Sequence, residues 1–317
     1  MALFNNKTKN KPELGFGTKN YNKSIRFINQ DGTVNVKRVG LGWLKNTDLY
    51  HWLINVSLSK LILVIILGYT LVNFLFATVY YLIGVEGFGG IDYSDGIQGY
   101  FSLFFFSAQT LTTLGYGHMY PISHAASTVA AFESLLGLMS FALATGILFG
   151  RFSRPKADLL YSKNILISPY EDMTGLMFRI SNKMQYELIE CEALVTLSYN
   201  DPETKRREFE QLNLETKRIG FLALSWTIVH PIDENSPIRG LTAKDLLDRD
   251  IEIIILIKGI NDTFSQTVYS RYSYKAEDLV ENAKFKRLQQ DADVNGKITI
   301  SVTDIHIFDK VKKEELV

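Results

Sequence analysis

A helical membrane unit followed by an all-β domain of immunoglobulin-like sandwich type is the fold class this sequence predicts, on three observations. Charge is balanced overall, 34 basic residues against 34 acidic, yet charged side chains almost vanish between residues 61 and 150. Within that interval two apolar runs long enough to cross a bilayer flank a shorter one. Beyond residue 158 the chain turns into short β-rich runs separated by polar, turn-like segments.

The N-terminus, "MALFNNKTKNKPELGFG", lacks the apolar core of a cleavable signal peptide, so the spans themselves are expected to direct insertion. In "DLYHWLINVS", Leu49, Trp52, Leu53 and Val56 fall at i, i+3, i+4 and i+7, with Asp48 placed to cap. This spacing predicts a short helix lying on the inner membrane surface, or an ordinary amphipathic helix packed on protein.

Leu61 to Ile83 is 23 residues without a charge. As a helix it rises about 34 Å, enough for the first span. Ala125 to Gly150 makes the second and carries one charge, Glu133. An acid inside a span normally faces the bundle interior with a partner, which points to a structural group bonded near the intervening segment. That segment, Tyr100 to Leu111, is too short to cross and too apolar for a solvated loop, so it is expected to enter and return. The glycines and acids of "GVEGFGGIDYSDG" before it form an exposed turret. Lys37, Arg38, Lys45 and Lys60 precede the first span, Arg151, Arg154 and Lys156 follow the second, and residues 84–120 hold no Lys or Arg. Both termini are therefore expected in the cytoplasm.

The β-rich runs are "LMFRI", "ALVTLSY", "FLALSWTIVHPI", "IEIIILI", "QTVYSRYSY" and "ITISVTDIHIF". Two short helical stretches, "TAKDLLDRD" and "KAEDLVENAKFKRL", are expected among them. "DADVNGKITISV" imitates a calcium-binding loop, but Val302 stands where the bidentate glutamate belongs, so Asn295-Gly296 is better taken as a hairpin turn. Cys191 is the only cysteine, which excludes an internal disulfide; it reads as a small buried hydrophobe. The five histidines show no metal-ligand spacing and no G-x-S-x-G nucleophile motif is present, so catalysis is not expected.

"TTLGYG", Thr112 to Gly117, follows the short apolar helix directly. Irregular backbone at membrane depth is tolerated only beside protein or water-filled space. If several copies meet on an axis, successive carbonyls can replace the hydration shell of a small, singly charged cation. Gly115 and Gly117 reach the dihedrals this requires without steric cost. Thr113 adds a hydroxyl, and the Tyr116 ring can pack away from the axis.

On "DLYHWL", "FFFSAQTLTTLGYG", "FGRFSRPKA", "LMFRISN", "TIVHPIDENSPIRGLT" and "SRYSY", in this order, the chain resembles the inward-rectifier potassium channels, most closely their prokaryotic KirBac branch. The resemblance implies a homotetramer in a bacterial inner membrane, passing potassium through one central pore. Its parts would be an N-terminal segment (1–47), a slide helix (48–57), a pore domain (58–154) and a cytoplasmic β-sandwich (155–317). It further implies a selectivity filter of Thr113, Leu114, Gly115, Tyr116 and Gly117. Leu114 replaces the usual Val or Ile there, and Gln109 the usual supporting glutamate.

Phe149 matches the gate at the helix crossing, its alternative being a lipid or packing contact. Gly137 and Gly146 are candidate hinges or close-packing positions. Phe141 occupies the cavity position where strong rectifiers carry an acid, which weakens the expected block by magnesium or polyamines. Glu190 and Asp262 match acids around the cytoplasmic pore, or are solvated surface carboxylates. Trp52, Arg151, Arg154 and Lys156 match the anionic-lipid region, or are simple topological anchors. No cofactor beyond the permeant ion and no nucleic-acid partner is implied. The alternatives are a weakly selective cation channel and a non-conducting, membrane-tethered β-domain binding protein.

Overall fold

The structure, a computed structural model, describes residues 26–37, 39, 49–91, 96–155, 157–184, 186–288, 290–292 and 298–311. Asp48, Lys156 and the Asn295-Gly296 turn lie outside them, as does most of the N-terminal segment. The chain divides into two units, residues 39–154 and a β unit of residues 155–317 with the segment before residue 39.

The first unit contains α1 (Leu49–Asn55), α2 (Leu58–Ile83), α3 (Ile97–Leu111) and α4 (His124–Phe152). Both α2 and α4 are long and apolar enough to cross a membrane, and only 11% of the most apolar window of each is buried. What each buries is a narrow stripe. In α2 it includes Asn73, Ala77 and Tyr80, at i, i+4 and i+7. In α4 it is Ala126, Ala130, Glu133 and Gly137, where the small residues allow close helix approach. Ser123 caps α4, its hydroxyl accepting from the Ala126 N–H at 3.1 Å. The strand pair β1 (Phe88–Gly89) and β2 (Tyr120–Pro121) closes the segment around α3.

In the β unit, β6 (Leu188–Asn200), β7 (Arg207–Gln211), β8 (Arg218–Phe221), β10 (Glu252–Asn261) and β11 (Gln266–Lys275) form one sheet, ordered β11-β10-β6-β7 with β8 also on β6. The second holds β3 (Leu159–Tyr161), β4 (Ile165–Tyr170), β5 (Met173–Asn182), β9 (Ser225–Pro231) and β12 (Leu279–Glu281), ordered β12-β4-β5-β3 with β9 on β5. All pairings are antiparallel except β4 with β12. Ile253, Ile255 and Ile257 share one core with Leu176, Phe178, Ile180, Trp226 and Ile228 of the opposite sheet, which is the expected sandwich. The expected hairpin pairs β14 (Gln290–Ala292) with β15 (Ile298–Ile300), and "TAKDLLDRD" contains α5 (Ala243–Asp248) with a Thr242–Asp245 capping box.

"KAEDLVENAKFKRL" departs from expectation. It is a single 3-10 turn, Ala276–Asp278, followed by β12 and β13 (Ala283–Phe285). Ala283 and Phe285 alternate into a small core with Leu166, Met177 and Val229, and β13 pairs with β16 (Phe308–Lys310). Tertiary pairing at period two here overrides helix propensity.

"IEIIILI" is an unbroken apolar run because β10 is covered on both faces. Ile254, on the face away from the sandwich core, packs with Phe27, Ile28 and Phe209. Residues 26–36 thus form an arm on this sheet. Glu252, fully buried, accepts from the Phe27 N–H with both carboxylate oxygens, at 2.9 and 3.0 Å, and from the Ile28 N–H at 3.2 Å. Arg26 pairs with Asp278 at 2.6 Å, Ser273 Oγ donates to the Ile28 carbonyl at 2.6 Å, and the Arg207 guanidinium lies 5.2 Å from the Phe27 ring centroid. Glu252→Gln places an amide donor against these N–H groups. We predict arm docking weakened by about 1–3 kcal/mol, seen as a lower melting temperature and faster tryptic cleavage after Arg26 and Lys37. Wild-type cleavage rates in the variant would refute the anchoring role.

Candidate functional site

The segment after α3 carries the most unusual backbone of the membrane unit. Thr113, Gly115 and Gly117 have φ of 57°, 55° and 79°, while Leu114 and Tyr116 between them stay at negative φ. The sign therefore alternates along five residues. Glycine adopts this region freely, but a β-branched threonine does so at a cost of about 1–3 kcal/mol, which persists only where the surroundings impose it.

The end of α3 supplies that constraint. The Gln109 carbonyl accepts from the N–H groups of Leu114 (2.8 Å) and Gly115 (3.4 Å), and the Thr110 carbonyl accepts from Thr113 (3.0 Å). These bonds use helix-terminal carbonyls that would otherwise be unsatisfied. Gln109 thus contacts the segment through its backbone, and its side chain is half-buried.

Glu133 lies behind α3. Fully buried, it accepts from Tyr80 Oη of α2 and from Ser107 Oγ of α3, each at 2.5 Å. Ser107 Oγ is also 2.9 Å from Asn73 Oδ1, and Asn73 Nδ2 donates to the Tyr69 carbonyl at 2.7 Å. One carboxyl therefore joins all three long helices. One turn further along α4, Gly137 abuts α3: a Cβ there would strike the Leu111 carbonyl oxygen. Gly146 has no atom within 4 Å of where its Cβ would lie.

Phe141 and Phe149 of α4 are 76% and 73% exposed on the single chain, so neither packs within it. Arg151, at the last turn of α4, donates through Nη1 to the Ile54 carbonyl (3.2 Å) and to the Val56 carbonyl, both at the C-terminal end of α1. A cation there satisfies orphan carbonyls and complements the helix dipole. Trp52 and Arg154 are exposed, and Ile54 rather than Trp52 packs towards Gly150.

In the β unit, Glu190 takes a positive φ of 49° opposite a register shift between β6 and β10, a β-bulge that re-aims its exposed side chain. Asp262 is exposed in the turn after β10, its N–H bonded to the Glu187 carbonyl at 3.3 Å. Both acids thus sit at the same end of one sheet. Sequence reasoning missed Asn73, Tyr80, Ser107 and Glu252. Glu252 was signalled only as a lone polar residue inside an apolar run, and Asn73 as the one amide in its span.

Two helices of spanning length around a re-entrant helix and a loop of alternating φ define a pore-loop ion channel. Comparison with known proteins narrows the class. A family model described as the inward rectifier potassium channel C-terminal domain matches residues 159–316, and one described as ion channel matches residues 62–154. The inward rectifier potassium channel Kirbac3.1 of Paramagnetospirillum magnetotacticum is 34% identical over 268 residues, covering 82% of this chain and 88% of that one. Human inward rectifier potassium channel 18 is 24% identical, covering 82% and 66%, and the bovine G protein-activated inward rectifier potassium channel 1 is 26% identical, covering 83% and 57%. The chain belongs to the inward rectifier potassium channel family.

The packing at α4 separates its two glycines. Gly137→Ala forces α4 away from the rigid α3 carbonyl and is predicted to cost about 1–3 kcal/mol, with a lower melting temperature in detergent. Gly146→Ala is predicted to be neutral or mildly stabilising in the same measurement. Equal effects at the two positions would refute this contrast.

Proposed function

We propose that four copies of the chain surround one axis and form a passive, potassium-selective channel. The observation that carries this reading is the alternating φ of Thr113 to Gly117. Alternation turns successive peptide planes so that the carbonyls can share one side, and four such strands supply oxygen ligands in place of a cation's water shell. The negative end of the α3 dipole, at the start of this segment, favours a cation nearby.

Around this filter we assign the parts as a slide helix at 48–57, a pore domain at 58–154 and a cytoplasmic domain at 155–317, with residues 1–47 leading in. Gln109 and Glu133 support the filter. Phe149 closes the path as a ring of apolar side chains, and movements of the β unit against the slide helix open it. Gly137 and Gly146 are the places where the second span bends. Glu190 and Asp262 concentrate cations before the gate.

Phe141 leaves the cavity without a carboxylate, so magnesium or polyamines block weakly. Trp52, Arg151, Arg154 and Lys156 meet anionic headgroups at the inner leaflet. The Lys and Arg distribution supports cytoplasmic termini, and the bacterial source of one relative supports a bacterial inner membrane.

Barium-sensitive rubidium uptake into proteoliposomes is the expected activity. Gly115→Ala should abolish it with assembly intact, and Phe149→Ala should raise basal flux. Uptake untouched by Gly115→Ala, or a monomer by cross-linking in bilayers, would overturn the proposal.

A second reading, a cation channel of low selectivity, is favoured by one observation: Leu114 is 55% exposed within the filter, branching one carbon further out than the family's usual Val or Ile. Reversal potentials under opposed potassium and sodium gradients separate the two. A value following the potassium gradient is the expected result.

A further inference from the structure

We propose that the concavity beside the C-terminal strand pair of the β unit binds a condensed phosphate anion. The cavity is about 740 Å³, and its lining includes Lys284, Lys286, Arg287 and Lys310 against one carboxylate, Asp309. Among the described lining residues, four cations facing one acid leave three positive charges in excess, in a chain whose formal net charge is zero. Such a local excess attracts anions from solution.

The frame that presents these side chains is rigid. Ala283 and Phe285 of β13 point into the small core, so Lys284 between them is turned outward. The Lys286 N–H donates to the Ile307 carbonyl at 3.0 Å and the Val311 N–H to the Asn282 carbonyl at 2.8 Å, which ties both ends of the β13–β16 pair. Asp309 neutralises little, because its contact with Lys286, at 3.2 Å, is between side chains 53% and 64% exposed.

A second observation lies beneath the rim. Arg179, 9% exposed, donates from Nη1 to the Lys286 carbonyl at 2.6 Å and from Nε to Thr227 Oγ1 at 3.1 Å, and its guanidinium lies 4.9 Å from the Phe285 ring centroid. Among the described residues no carboxylate pairs with it. A fixed, uncompensated positive charge under the same strand adds to the potential of the exposed lysines.

Ammonium groups act as point charges for phosphate and a guanidinium offers a forked donor, so this set suits phosphate oxygens. The excess charge favours several linked or adjacent phosphates over one. Two sources share that chemistry: a soluble polyphosphate, and a phosphoinositide headgroup.

The test uses the full chain in phosphatidylcholine nanodiscs, with inorganic tripolyphosphate as the calorimetric probe. Saturable binding is expected, weakened at least about tenfold by the surface double variant Lys284→Glu/Arg287→Glu and kept within about twofold by Lys284→Arg. Melting temperatures establish that both variants fold. Repeating the titration in discs containing phosphatidylinositol bisphosphate identifies the source: a lowered tripolyphosphate affinity assigns the site to the lipid headgroup, and an unchanged one to a soluble anion. Absence of saturable binding, or equal affinity in the folded double variant, would overturn the proposal.

Discussion

The membrane unit depends on the Glu133 carboxyl. Inside a span a lone acid is expensive, and here both of its oxygens are satisfied by hydroxyls from the other two long helices. Each such bond contributes about 1 kcal/mol net, yet removing one partner strands a buried polar group at a greater penalty. Glu133 and Gly137 are four residues apart, so they share one face of α4, and that face meets α3 through a side chain at one turn and bare backbone at the next. The re-entrant helix is thereby fixed in depth and rotation. Its C-terminal carbonyls can then hold Thr113 in a conformation threonine would otherwise leave.

The β unit applies a similar economy to a carboxylate outside the spans. Glu252 opens β10 opposite Lys275, yet the buried Lys275 ammonium is turned to Asp250 at 3.3 Å and Arg207 to the same carboxylate at 2.7 Å. The charge of Glu252 is met by main-chain N–H groups of the arm, more than two hundred residues earlier in the chain. A carboxylate whose donors, among the described residues, come from a distant segment makes that segment part of the fold: without residues 27 and 28 the acid would lose these donors and Ile254 part of its cover.

Which elements were legible in the sequence follows from the range of the forces that make them. The two spans, the short helix between them and most strands are each written in their own hydrophobic period, and they appear where that period places them. The arm was not legible because "IRFINQDGTVNV" splits its apolar residues around a polar centre; among its described residues only Phe27 and Ile28 bury, and what they bury against is fixed by β10. Residues 276–285 failed for the same reason in reverse, since a locally helical composition lost to pairing with β4 and β16. At the site, Gly115 and Gly117 were readable from residue type alone, because no other residue tolerates their dihedrals so cheaply. Thr113 was singled out for its hydroxyl, but its positive φ was not readable, because it is imposed by the end of α3 rather than chosen by its own side chain. Arg151 was legible as a cation near a membrane end, but its bonds to the end of α1 were not, because that partner lies nearly a hundred residues away.

The single chain also leaves surfaces that the proposed ring of copies would use. Leu114, Tyr116, Phe141 and Phe149 are all more than half exposed, the first two on the loop after α3 and the others on α4. Lipid is an unsuitable partner for the first two, because the irregular backbone carrying them presents polar groups that hydrocarbon cannot satisfy. Water suits the backbone of residues 113–117 but not the leucine side chain or the ring face of the tyrosine. The proposed ring of identical chains would resolve the conflict, with carbonyls turned to a water-filled axis and side chains turned into the neighbouring copy. The alternating sign of φ allows one strand to face both ways at once, so the backbone conformation and the symmetry of the proposed assembly would answer to the same requirement.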